Sequence, residues 1–208
     1  MNSSTDDQER NPPAKPQRPL VAISACLLGQ RVRYDGGHKY QSQIDRYLSP
    51  WVEWYPLCPE MAANLGAPRP PVQLVQGDGQ LRALGVDQPE LDITPQLERS
   101  SRDLLQELQQ LPNLCGVVVK SGSPSCGLGS TPIHNRERQA THLGSGLFSQ
   151  QLAQLAFLPC VEESWLADAN RCELFLKACL LVQERRLSPD WDARALAAEV
   201  GSALNPTL

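Results

Sequence analysis

Three cysteines in this 208-residue chain share one kind of address. Cys26 follows the apolar run Leu20-Val-Ala-Ile23, Cys58 follows Val52-Glu-Trp-Tyr-Pro-Leu57, and Cys126 lies in a Ser- and Gly-rich stretch directly after Cys115-Gly-Val-Val-Val119. An apolar run that turns abruptly polar and glycine-bearing is the pattern of a strand buried on both faces. An open α/β sheet binds its ligands at the carboxyl ends of such strands. If the three runs lie parallel in one sheet, the three thiols emerge at one edge. Thiolates are soft donors, so their joint chemistry is to hold zinc or an iron–sulfur cluster. Three protein ligands leave one position open, as catalytic metal sites do.

Cys115, Cys160, Cys172 and Cys179 do not share that placement and read as core or helix residues. A closed structural site would need a fourth donor, for which Cys115 and Cys160 are the candidates. A non-catalytic iron–sulfur or zinc-binding sensor or interaction module therefore stands beside the catalytic reading. No Cys-x-x-Cys pair occurs, which removes zinc ribbons and thioredoxin-type motifs. His38, His134 and His142 fall in loops and read as solvated. The loop after Cys26 approaches the Cys-x5-Arg phosphate loop of small tyrosine phosphatases, but Val32 holds the required arginine position, between Arg31 and Arg33.

The elements that must position these residues alternate in type. A helix is expected over 40–47, stopped by Pro50, and Pro59 ends the second strand. Val72-Gln-Leu-Val75 and the run 81–86, joined by Gln76-Gly-Asp-Gly79, predict a β-hairpin at the margin of the main sheet. Thr94 as N-cap and Pro95 at the first helical position open a helix that presents Leu97, Leu104, Leu105, Leu108 and Leu111 on one face. Pro112 ends it. A further helix over 145–157 turns Leu147, Phe148, Leu152 and Leu155 inward, and 158–161 forms a last short strand. Asp168 caps a helix over 169–186, and Ser188-Pro-Asp190 starts a final helix. The fold class is α/β: an open, mainly parallel, Rossmann-like sheet with flanking helices and a marginal hairpin.

The length suits one domain with a full core. A net charge of −4 gives no general attraction to nucleic acid, and stable nucleic-acid binding is not expected. No run is long and apolar enough to span a bilayer. Residues 1–18 lack the apolar centre of a signal peptide and read as a disordered tail, so a cytoplasmic location is expected. The expected division is a tail over 1–18, an α/β catalytic domain over 19–186 and a helical extension over 187–208.

Several motifs in order carry a resemblance. Ser24-Ala-Cys26-Leu-Leu-Gly29, Val32-Arg-Tyr-Asp35-Gly36, Cys58-Pro-Glu60 and Lys120-Ser121-x-Ser123-Pro-Ser125-Cys126-Gly127 resemble the DUF523 family, as do Gly66-x-Pro68-Arg69-x-Pro71 and Gly144-x-Gly146-Leu-Phe148. The similarity runs from about residue 20 to 186. Its characterised branch, the thiouracil desulfidases, removes sulfur from 2-thiouracil without net redox change. The resemblance implies a [4Fe-4S] cluster on Cys26, Cys58 and Cys126 with one open iron, which takes the sulfur of a small thiolated substrate and releases it as hydrosulfide. On that reading Glu60, two residues after a ligand, is the first candidate for the base that activates water, with Glu53 and Asp35 as alternatives. Lys120 stabilises developing negative charge, and Ser121, with Ser123 and Ser125, orients the base or the substrate.

Overall fold

A computed structural model describes residues 17–204. The expected tail therefore lies almost wholly outside the described residues. Among the described residues, eight strands form two four-stranded sheets. The main sheet has the order β2-β1-β5-β8, with every pairing parallel. Its centre is β1 (Leu20–Ser24), flanked by β2 (Glu53–Leu57) and β5 (Leu114–Val119), with β8 (Cys160–Glu162) at the far edge. The burial explains the apolar runs: Val21, Ala22 and Ile23 are inaccessible, and every residue of β5 is buried. β2 tolerates Pro56 because it is an edge strand with one partner. The chain runs from β1 out to β2 and then returns across β1 to β5, so the strand order reverses beside β1. Such a reversal opens a crevice at the carboxyl ends of the strands.

The hairpin of β3 (Val72–Gly77) and β4 (Gln80–Gly85) forms as expected, with Asp78 and Gly79 at positive φ (49° and 76°), the geometry of a type I′ turn. It belongs to a second sheet, ordered β4-β3-β6-β7. β6 (Thr131–His134) and β7 (Ala140–Gly144) were not legible in the sequence. β7 is exposed along most of its length, so it shows no apolar alternation to read.

Short helices α1 (Ser42–Tyr47) and α2 (Pro59–Ala62) follow the first two strands. Helix α3 (Thr94–Gln110) joins the two cores: Leu97 packs with Leu74, Ala83 and Ile133 under the second sheet, while Leu104, Leu105 and Leu108 pack under the first. Thr94 is the first helical residue rather than the N-cap. Its N–H donates to Asp92 Oδ1 at 2.9 Å, and its Oγ1 accepts the Ala83 N–H at 2.8 Å, which ties the helix to β4 instead. The expected helix over 145–157 is α4 (Leu147–Leu152) with a following 3-10 turn. α5 (Ala169–Arg186) is capped by Asp168, whose Oδ1 accepts the Arg171 N–H at 2.9 Å. α6 (Ala193–Leu204) packs on α5 and places Leu196 and Val200 in the main core. Among the described residues, no helix is long and apolar enough to cross a membrane.

Candidate active site

A cavity of about 590 Å³ opens at the carboxyl edge of the main sheet, and Cys26, Cys58 and Cys126 all line it. Each is held by a different local device. Cys26 sits in a 3-10 turn, Ala25–Leu28, that Gly29 closes at φ 88°, a conformation that favours glycine. Cys58 occupies the N-cap position of α2, where Pro59 ends the strand and begins the helix. Cys126 lies on the loop after β5. There Ser123 Oγ accepts the N–H groups of Ser125 (3.2 Å) and Cys126 (3.1 Å), and Ser149 Oγ donates to the Cys126 carbonyl at 2.6 Å.

The three thiols are free, and each has its ionisation pushed up, first by burial. Cys26 is raised to about 11, with the neighbouring Cys58 as the second cause. Cys126 also feels Cys58 and Cys26, so the three groups act on one another across the cavity. Among the described residues no three His, Cys, Asp or Glu side chains gather as a group able to hold a metal ion. The thiols instead line a roomy cavity, and thiolate is the donor type of iron–sulfur clusters, so the donor set fits such a cluster.

On one flank Glu60 is buried at the start of α2. Its Oε2 accepts Arg69 Nε at 2.7 Å, and its Oε1 accepts the Ser125 hydroxyl at 2.6 Å. The Arg69 side chain is itself 7% exposed and also donates to the Val32 carbonyl at 3.0 Å. A buried carboxylate needs such partners, since an unpaired charge in that position is costly. Sequence reasoning placed Arg69 in a proline-rich connection and gave it no role.

On the other flank Lys120 and Ser121 line the cavity, with Glu163 behind them. Glu163 accepts the Ser121 N–H at 2.6 Å, the Ser121 hydroxyl at 2.7 Å and a charge-assisted bond from Lys120. It directly follows β8, as Lys120 follows β5, and the two strands are parallel neighbours. Sequence reasoning missed Glu163. The apolar run ends at Val161, so local pattern points to Glu162, and only the extension of β8 through Glu162 puts Glu163 at the strand end.

Asp35 is not brought into the cavity. Its exposed carboxylate accepts the Gly37 N–H at 2.9 Å and pairs with Arg33 at 3.2 Å; these two partners, in that order, hold it below the usual carboxylate range. Arg33, its partner, lines the cavity wall. Glu53 begins β2 and so lies at the opposite end of the sheet. Cys115, Cys160 and Cys179 do not line the cavity; burial raises all three, and the first two add to the shift of Cys179.

A parallel α/β sheet with three free thiols and a buried carboxylate around one cavity at its carboxyl edge defines a thiol-based candidate metal centre of the α/β class. The chain belongs to the 2-thiouracil desulfurase family, which matches residues 21–164. It is 28% identical over 143 residues to the uncharacterized protein YbbK of Bacillus subtilis (strain 168), covering 66% of this chain and 92% of that protein. It is 30% identical to the solved structure of the [4Fe-4S]-dependent thiouracil desulfidase TudS (DUF523Vcz), with a TM-score of 0.58 over 74% of this chain and 96% of that one.

Proposed function

We propose that this protein is a thiouracil desulfidase-like enzyme that exchanges sulfur for oxygen on a thiolated nucleobase or similar small thiocarbonyl compound. The balance is that of a hydrolysis: water adds to the thiocarbonyl carbon, the carbon–sulfur bond breaks, and hydrogen sulfide leaves without any change in redox state. The observation that carries this reading is the convergence of Cys26, Cys58, Cys126 and Glu60 on one cavity. Cys26, Cys58 and Cys126 would hold a [4Fe-4S] cluster, which with three thiolate ligands supplies an open iron as a Lewis acid toward sulfur.

The chain's own residues do the rest. Glu60 takes the proton of the attacking water, with Arg69 and Ser125 fixing the orientation of its two oxygens. Lys120 presents its ammonium at the wall, where negative charge develops on the substrate, and Ser121 orients the substrate's polar edge. Asp35 acts at the rim by holding Arg33 against the cavity. The test is Glu60→Gln in protein purified and reconstituted without oxygen. Conversion of 2-thiouracil falls by about 100-fold or more while the iron content stays at the wild-type level. Failure of the wild type to convert any thiolated pyrimidine overturns the proposal.

A further inference from the structure

Two serines on the cavity wall have hydroxyl polarities fixed by their surroundings, in opposite senses. Ser121 lies between Glu163 and Lys120: its Oγ donates to Glu163 Oε1 at 2.7 Å and accepts from Lys120 Nζ at 2.8 Å. The arrangement allows no other direction, because an ionised carboxylate only accepts and an ammonium only donates. A hydroxyl has one proton and two lone pairs. Ser121 therefore has one lone pair left for a ligand and no proton to offer. Ser123, two residues on, is the reverse. Its Oγ accepts two backbone N–H groups, those of Ser125 and Cys126, so its lone pairs are used and its proton has no acceptor among the described residues. Both residues line the cavity.

We infer that Ser121 and Ser123 form an acceptor–donor pair that reads an N–H next to a C=O or C=S, and that Glu163 is the positioning residue that sets the acceptor half. The ligand class follows: thiolactams and thioamides that carry an N–H beside the thiocarbonyl, in preference to N-alkylated thiones and thioesters. A ligand N–H completes Ser121, and an adjacent ring oxygen or sulfur completes Ser123. A ligand without the N–H leaves the Ser121 lone pair buried and unpaired, which costs affinity. Glu163 touches no ligand in this scheme. It sets the Ser121 polarity through the proton it draws from that hydroxyl, while its bonds from the Ser121 N–H and Lys120 hold the wall in place, and its side chain is 7% exposed behind that wall. The inference rests on the desulfidase reading for the identity of the site but makes a separate claim about its edge recognition.

The test is equilibrium binding of the non-reacting probes uracil and 1,3-dimethyluracil to cluster-loaded protein, measured by calorimetry. Uracil binds the wild type at least about tenfold more tightly than its dimethyl analogue, the loss expected for one unpaired buried group. In Glu163→Gln the new side-chain amide can donate to Ser121 and turn its proton toward the cavity. The preference then falls below about threefold, with iron content and visible absorption unchanged. Ser121→Ala gives the same collapse and carries the test if the Glu163 variant fails to load. The inference is overturned if the wild type binds neither probe or does not discriminate, or if a loaded variant keeps the wild-type ratio. Turnover of 2-thiouracil, assayed separately, keeps the two claims distinct. Turnover without discrimination removes only the edge recognition, whereas discrimination without turnover removes only the desulfidase reading.

Discussion

Cys26, Cys58 and Cys126 line the cavity, while Cys115 of β5 and Cys179 of α5 are buried in the main core and Cys160 of β8 packs half-buried against it, and the two sets carry different expectations. Replacing any one of the first three with alanine lowers iron from about four per chain to near zero after anaerobic reconstitution, whereas Cys115→Ala keeps the full content; iron and acid-labile sulfide assays check this. The buried thiols make a second, metal-independent prediction. Burial raises Cys115 to about 11 and Cys160 to about 12 from an ordinary value of 9.0. Above pH 9 the unfolded chain releases these protons while the folded protein keeps them, so the native state binds more protons and stability falls as pH rises. The stability these thiols contribute is complete below pH 9 and is lost toward pH 11 to 12. Calorimetric melting of the apoprotein shows a falling midpoint over that range, and the slope is shallower in Cys160→Ala. A slope that Cys160→Ala leaves unchanged contradicts the assignment.

At the scale of elements, α4 and the loop after β5, which β6 and β7 separate along the chain, act as one unit that holds Cys126. The N–H groups at the start of α4 bind that loop: Leu147 N–H to the Pro124 carbonyl at 3.1 Å, Phe148 N–H to the Ser125 carbonyl at 2.9 Å, and Gly146 N–H to the Gly127 carbonyl at 2.8 Å. A helix's first amides lack partners within the helix, and here the loop supplies them. The contact is so close that a Cβ on Gly146 would lie 2.5 Å from the Ser125 carbonyl and 2.8 Å from Cys126 N. Gly146→Ala therefore shifts Cys126 away from its partners. The expected result is an iron content less than half that of the wild type, with a stability loss of about 1–3 kcal/mol. Gly201, in α6, faces open space: a methyl group added there meets nothing within 4 Å, and Gly201→Ala is expected to stabilise by about 0.5–1 kcal/mol with iron unchanged. Thermal melts and iron assays on the two variants give opposite signs if the close packing at Gly146 is what holds the loop.

For the whole molecule, the second sheet and the C-terminal helices build outward from the main sheet in different ways. The second sheet reaches the cavity, since Val72 of β3 and Val86, just beyond β4, line it beside Arg33 and Tyr34. Helix α6 lies beyond the stretch shared with the family, 21–164, yet Leu196 and Val200 are nearly inaccessible within the main core. Its surface ion pair, Arg185 with Glu199 at 2.9 Å, contributes less than about 1 kcal/mol at that exposure. The apolar contacts carry the attachment. Leu196→Ala is expected to cost about 2–5 kcal/mol in a denaturant titration while leaving iron per folded chain and turnover unchanged. Loss of iron in that variant shows that the helix supports the site and not only the core.

What the sequence determined was whatever depends on neighbours along the chain. The buried runs of β1 and β5, the Asp-Gly turn of the hairpin, the Asp168 cap and the three cysteines at strand ends all follow from local pattern, because burial on both faces, φ preferences and capping are written within a few residues. Tertiary structure decided what depends on residues distant in the chain. Ser121 meets Glu163 across 42 positions and Glu60 meets Ser125 across 65, so neither pairing leaves a local trace. The same applies to the separate sheet that takes in the hairpin: β3 finds β6 through Leu74 with Ile133 and Val75 with His134, and nothing near either strand names the other. Asp35 shows the converse, a carboxylate close in sequence to Cys26 that turns outward because Gly37 and Arg33 satisfy it at the surface. Spacing along the chain identified the thiols, and the parallel order of β1, β2, β5 and β8 brought the carboxylates and serines to them, since only packing brings distant strand ends to one edge.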